Sequence, residues 1–230
     1  MSRRGKFITL EGLDGVGKST QVHKLAVALR GEGYQVIETR EPGGTATGEK
    51  IRRVLLDSAT EGLSPMAEMA LMFASRAQHI AEVILPGLEQ GAIVICDRFT
   101  DSTEAYQGGG RKLGSEAVLE LHRVLCGNLQ PDLTILLDND LGKSLGRARA
   151  RNEKAAEHAK KTGRHDHEDE NRFERQSRAF FARVREGYQA IAKREPGRVV
   201  VVDASGEKGE TGRRILDVVR RKLKEKRIQI

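Results

Sequence analysis

The sequence predicts an α/β fold, a five-stranded parallel sheet with helices on both faces. Three observations carry that prediction. Five strand-like runs recur along the 230 residues, and four of them are almost continuously apolar. Such runs fit parallel strands covered on both faces, because a strand with one wet face alternates apolar and polar residues. Helical patterns separate the runs throughout. The turn after the first run holds glycines and a Lys-Ser pair where a strand meets a helix, the setting of a phosphate-binding loop.

In chain order the strands are expected at Phe7–Leu10, Gln35–Thr39, Ala92–Cys96, Leu133–Leu137 and Val199–Val202, the second being the least apolar. Helices are expected at about 20–31, 47–57, 65–90, 114–126, 141–151, 172–194 and 209–226. Residues 152–171 are almost wholly polar, so they read as an exposed, mobile excursion between two helices. No internal repeat appears, and a chain of this length is expected to form one domain, residues 1–230.

The loop Gly12-Leu13-Asp14-Gly15-Val16-Gly17-Lys18-Ser19 fits G-x-x-x-x-G-K-S at every fixed position, and Thr20 continues into a helix. Glycines let the backbone wrap until several N–H groups point at one phosphate, and the helix N-terminus adds partial positive charge. Lys18 is expected at the β- and γ-phosphates of a nucleotide, and the Ser19 hydroxyl at Mg²⁺.

Composition narrows the partners less. The net charge of +7 suits nucleic acid, acidic membranes and phosphorylated small molecules alike. Aromatics make up only 4%, and no recognition helix stands out, so no specific nucleic acid is expected. Cys96 and Cys126 read as core thiols rather than a disulfide framework. The basic run Arg220–Arg227 reads as a solvated helix end. No run approaches the ~18 apolar residues of a membrane helix. The strand at Phe7 leaves no room for a signal sequence, so the cytoplasm is the expected location.

Two further loops leave the C-terminal ends of expected strands, where ligands bind in open α/β sheets. One is Thr39-Arg40-Glu41-Pro42-Gly43-Gly44-Thr45, and the other runs from Asp97 to Arg111. Arginine forks such as Arg52 and Arg98 bind phosphate bidentately. Phe73 and Arg76 share a helix face. By pattern alone Phe73 also reads as core, Arg76 as a surface ion-pair residue and Tyr106 as a core tyrosine.

Taken together, R-E-P-G-G-T, D-R-F-x-x-S-x-x-A-Y-Q-G and P-D-L-T-x-x-L-D make the chain resemble the thymidylate kinases from about Phe7 to Leu223. The resemblance implies a three-layer sandwich of the P-loop NTP-hydrolase type with strand order 2-3-1-4-5. It implies Mg²⁺-dependent phosphoryl transfer from ATP to dTMP, and a homodimer packed through the helices near 47–57, 65–90 and 114–126. It places Gly12, Leu13, Asp14, Gly15, Val16, Gly17, Lys18, Ser19 and Thr20 at ATP. It places Arg52 and Arg98 at the dTMP phosphate, with Glu41 and Pro42 in the same site. Phe73 would stack on the base, Arg76 would donate to O4, and Thr103 and Gln107 would complete the thymine edge. Tyr106 would pack under the sugar, and Asp14 would accept from the 3′-hydroxyl. Asp97 would hold Mg²⁺ through water, beside Ser19.

Phosphoryl transfer needs cationic charge near the γ-phosphate. Some members of the family place an arginine in the phosphate loop, but Gly15-Val16 offers none. Leu145–Arg151 supplies Arg147, Arg149 and Arg151, with Arg147 and Arg151 on one helical face. The chain therefore resembles the members with a basic lid, here at about 141–173. Lys18, Asp97, Arg98, Arg147 and Arg151 form the expected catalytic set. Two departures stand out. Asn171-Arg172-Phe173-Glu174 has Asn where relatives often have Asp, and the link before it is long. His158, His165 and His167 in that link match no standard metal spacing. A kinase of another nucleotide or of a deoxynucleoside, and a non-enzymatic nucleotide-binding protein, remain as other readings.

Overall fold

The structure is a computed structural model that describes residues 4–57, 62–162, 172, 173 and 175–224, with only the backbone at 155, 156 and 158–162. β1 (Lys6–Glu11) is the middle strand. β3 (Ile93–Asp97) and β4 (Leu133–Asp138) pair with it on either side, and β2 (Val36–Arg40) and β5 (Val199–Asp203) form the edges. The order is β2-β3-β1-β4-β5 and every pairing is parallel, as expected.

Burial explains the apolar runs. Phe7 points into one layer with Val94, Cys96, Met69 and Phe73, while Ile8 and Leu10 point into the other with Ile95, Val22, Leu25 and Phe181. Successive side chains leave opposite faces of a strand, so a sheet covered on both sides needs apolar residues at both parities. β2 is only half-buried, which accounts for its polar positions.

The helices are α1 (Lys18–Gly31), α2 (Ala46–Leu56), α3 (Pro65–His79), α4 (Leu85–Glu89), α5 (Thr100–Thr103), α6 (Ser115–Cys126), α7 (Leu141–Thr162), α8 (Arg178–Arg194) and α9 (Lys208–Lys224). Thr45, Ser64 and Ser177 cap α2, α3 and α8, each hydroxyl accepting a backbone N–H three residues on.

Four expectations need correction. The span 65–90 is helical, but a π-helical turn at Ile80–Ile84 joins α3 to α4. Pro86 lacks an N–H and its ring crowds the carbonyl one turn back, and a wider turn upstream relieves both problems. The span Asp97–Arg111, read as a loop, contains α5 and a π-helical segment, Glu104–Gly110. Its three glycines do not break it because α8 packs directly on it. A Cβ on Gly110 would meet the Phe180 ring at 2.5 Å. The polar stretch after Arg151 does not leave the helix there, because α7 runs on to Thr162. Among the described side chains there, Glu153, Lys154 and Glu157 are exposed, and such positions need no apolar residue. Finally, α8 begins at Arg178 rather than 172. His165, His167, Asn171, Glu174 and the tail beyond Lys224 lie outside the described residues, as does the side chain of His158.

Register gathers the ligand-facing loops. Both Leu10 of β1 and Arg40 of β2 pair with Asp97 of β3. The loops after all three strands therefore open from one edge of the sheet.

Candidate active site

A cavity of about 990 Å³ lies along that edge. Asp14 to Gln21 form one wall, Arg40 to Pro42 with Arg52 and Arg76 another, and Asp97 to Phe99 the floor between them. Arg147 and Arg151 of α7 reach in from above, and Arg149 does not. The helical-face argument anticipates that split.

The phosphate loop is shaped by its neighbour. Gly15 has φ +79°, and a Cβ there would meet the Ser144 carbonyl of α7 at 2.1 Å. Only glycine lets α7 come this close, so an arginine cannot stand at this point of the loop. Lys18 is buried and donates to the carbonyls of Gly12 and Leu13 at 3.0 and 2.8 Å. Burial and the nearby Arg98 charge lower its pKa from 10.5 to about 8. Ser19 donates to Asp97 Oδ2 at 2.6 Å, while Asp97 Oδ1 is buried with no partner.

Arg98 is the centre of the floor. Its backbone is left-handed, φ +73°, an uncommon state for a residue with a Cβ. Two bonds from backbone N–H groups hold it there, Arg98 N–H to the Leu10 carbonyl at 3.0 Å and Phe99 N–H to the Glu11 side-chain Oε1 at 2.7 Å. The guanidinium donates to Asp14 Oδ1 at 2.7 Å, to Ser102 Oγ at 2.9 Å, and to the Tyr188 and Tyr106 hydroxyls at 3.0 and 3.1 Å. Tyr106 in turn donates to Asp14 Oδ2 at 2.9 Å. Burial disfavours charge on Asp14, but Arg98 and Lys18 outweigh it and hold the carboxyl below the usual range. Glu11, which accepts from Phe99 N–H, is pushed upward, by burial first and then by Asp101.

Another part of the cavity wall is built on α3. Arg76 donates to Glu41 Oε2 at 2.8 Å and to Thr103 Oγ1 at 2.9 Å, while its Nη1 is buried without a partner. His79 holds the other oxygen of Glu41 at 2.9 Å and contacts Thr39 Oγ1 at 2.7 Å. Glu41, His79 and Cys96 are close enough to bind a metal. Their ligand atoms are already taken by Arg76, Thr39 and the Arg98 carbonyl, so the group is a hydrogen-bond network. Arg52 lines the cavity and donates to the Pro42 carbonyl at 3.1 Å.

Residues 10–215 match the family model described as Thymidylate kinase. The chain is 46% identical over 217 residues to the thymidylate kinase of Trichlorobacter lovleyi, covering 94% of this chain and 98% of that one. It is 50% identical over 201 residues to that of Pseudomonas syringae pv. tomato, covering 87% and 88%. Among solved structures, the thymidylate kinase of Ehrlichia chaffeensis matches with a TM-score of 0.69 and 30% identity, over 94% of this chain and 99% of that one. The chain belongs to the thymidylate kinase family.

Against that family's expectations, Lys18, Ser19, Thr20, Asp14, Glu41, Pro42, Arg52, Arg76, Asp97, Arg98, Thr103, Tyr106, Gln107, Arg147 and Arg151 all line the one cavity, with Gly15, Val16 and Gly17. Gly12 and Leu13 lie just behind it, where their carbonyls hold Lys18. Phe73 does not line it. Its ring is wholly buried in the apolar layer, 4.9 Å from the Arg76 guanidinium carbon. Helix geometry gives the reason. Around α3, Met72 sits about 40° to one side of Arg76 and Phe73 about 60° to the other. Met72 is the one on the cavity wall, with Leu56 and Phe173. Sequence reasoning also missed the far end, where Gln21 of α1 meets Ala204, Gly206, Lys208 and Thr211. The signal was available in Asp203-Ala204-Ser205-Gly206, a small-residue turn directly after β5.

Proposed function

We propose that this chain moves the γ-phosphoryl group of ATP onto the 5′-phosphate of dTMP, giving dTDP and ADP. The observation that carries the reading is one cavity that holds two sets of cations, Lys18 in the phosphate loop and Arg98 with Arg52 on other loops. An acceptor held in line with the donor phosphate needs two such sets, and positioning with charge neutralisation supplies the catalysis. Arg147 and Arg151 add positive charge from above, which the loop's Gly15 cannot carry.

Asp97 and Ser19 fit Mg²⁺. One carboxylate oxygen is buried and unpartnered beside a hydroxyl, a hard oxygen donor set facing the phosphate loop. Bound there, the ion would neutralise phosphate charge. Lys18 orients the donor phosphates and Arg98 with Arg52 the acceptor phosphate. Asp14, already locked by Arg98 and Tyr106, faces the acceptor sugar. Arg76 offers its unpartnered Nη1 to O4 of thymine, with Thr103 and Gln107 beside it. Met72, rather than Phe73, supplies the apolar surface under the base. The ATP base sits toward Gln21 and Thr211. The working unit is a homodimer joined through α2, α3 and α6. Its place is the cytoplasm, and no helix among the described residues is long and apolar enough to cross a membrane.

A coupled assay with dTMP, dUMP, dCMP, dAMP, dGMP and thymidine as acceptors tests the reading. The expected result is highest kcat/KM for dTMP and no turnover of thymidine, which has no phosphate for Arg52 and Arg98. A better acceptor than dTMP refutes it.

A further inference from the structure

Glu68 lies on the first turn of α3 and is wholly buried, yet it does not line the cavity. A carboxylate in that position must be matched by donors. Four are present. Oε1 accepts from Gln107 Nε2 at 2.8 Å and from Arg111 Nε at 3.1 Å. Oε2 accepts from Arg111 Nη2 at 3.0 Å and from Arg172 Nη1 at 2.7 Å. Both oxygens are used as acceptors of N–H donors.

That chemistry decides how Gln107 faces its ligand. An amide can turn either end toward a neighbour, but a carboxylate oxygen used as an acceptor admits only the nitrogen end. The Gln107 carbonyl oxygen is thereby turned away from Glu68, and it takes no hydrogen bond from the described residues. Gln107 is on the cavity wall together with Arg76, whose free Nη1 is a donor. The cavity lining then includes both a donor, on Arg76, and an acceptor, on Gln107. Such a pair matches an imide edge, carbonyl next to N–H, as in thymine. It mismatches cytosine, which offers an amino group next to a bare ring nitrogen.

We propose that Glu68 is the positioning residue that fixes the Gln107 carboxamide, and so sets the discrimination between imide and amino-pyrimidine acceptors. This rests on the dTMP reading above. Glu68 acts through Gln107 and touches no substrate.

The experiment is a mutant cycle read as the ratio of kcat/KM for dTMP to that for dCMP. The wild type is measured first. A preference for dTMP supports the base reading, and its absence overturns both readings together. In Glu68→Gln the partner becomes an amide, Gln107 is free to turn over, and the ratio is expected to fall about tenfold, with KM for ATP unchanged. In a Gln107→Ala background, Glu68→Gln is expected to cause no further fall. A full ratio in folded Glu68→Gln, or equal losses in both backgrounds, overturns the positioning role and leaves the dTMP reading standing. Glu68→Asp covers the case in which Glu68→Gln does not fold. It keeps the charge on both arginines but withdraws the carboxylate from Gln107 by one methylene. The same loss of ratio is expected at a near-native melting temperature, and an unchanged ratio refutes the proposal.

Discussion

Lys18 shows how a single residue ties the site to pH. Its folded pKa is about 8, below the ordinary 10.5, because burial and Arg98 both disfavour the charged form. The sign for stability follows. Between those two values the unfolded chain holds a proton that the folded chain has lost, so Lys18's contribution to stability rises with pH across that window. The sign for binding is opposite, since the ammonium is what meets phosphate. kcat/KM for ATP, which reports the free enzyme, is expected to fall as pH rises through about 8. A bound triphosphate restores the proton, so kcat is expected to stay flat to higher pH. Steady-state kinetics at saturating dTMP across this range would show both limbs. The absence of any break near pH 8 in kcat/KM would place the lysine's titration elsewhere. Lys18→Arg is expected to lack the break, because a guanidinium does not titrate there.

Helix α7, the expected lid, makes a prediction that its own periodicity defines. Arg147 and Arg151 are one turn apart and reach the cavity, whereas Arg149 points away. Replacing Arg147 or Arg151 by Ala is expected to lower kcat by about 10²–10³-fold, the usual cost of one transition-state charge contact. Arg149→Ala is expected to change it less than about threefold, as for a solvated surface charge. Rapid-quench measurement of the transfer step would separate the lid's part in chemistry from product release. Equal losses at all three positions would make the helix a diffuse cationic surface instead. The same helix shows what the sequence made legible. The strands, the phosphate loop and the arginine face of α7 all follow from local pattern, because each depends on neighbours within one turn or one strand. What was illegible depends on distant packing. The helical stretch through Gly108, Gly109 and Gly110 stands because α8 presses on it. The continuation of α7 past Arg151 has no apolar stripe to betray it. The choice of Met72 over Phe73 turns on the rotation of α3 about its axis, which the position of Arg76 sets once Glu41 and Thr103 hold it.

The proposed homodimer needs a surface that can meet a second copy. α3 packs against both α2 and α6, so the three form one continuous layer on one side of the sheet. Each carries large apolar side chains in solvent, Val54 on α2, Met66 on α3, and Leu119, Val124 and Leu125 on α6. Exposed apolar residues scattered singly need no explanation, but several on adjoining helices match the face of a two-fold interface. The cavity residues Asp14, Arg98 and Arg147 lie on other elements than these exposed side chains. Two expectations follow, and they can be read separately. Sedimentation equilibrium of the wild type at micromolar concentration should give twice the chain mass. The double variant Met66→Asp, Leu119→Asp should give the single mass, because each carboxylate would have to be buried unpaired at the interface. Its kcat should persist at temperatures where the monomer stays folded, while its melting temperature should fall and lose its dependence on protein concentration. A wild type that sediments at the single mass would refute the dimer.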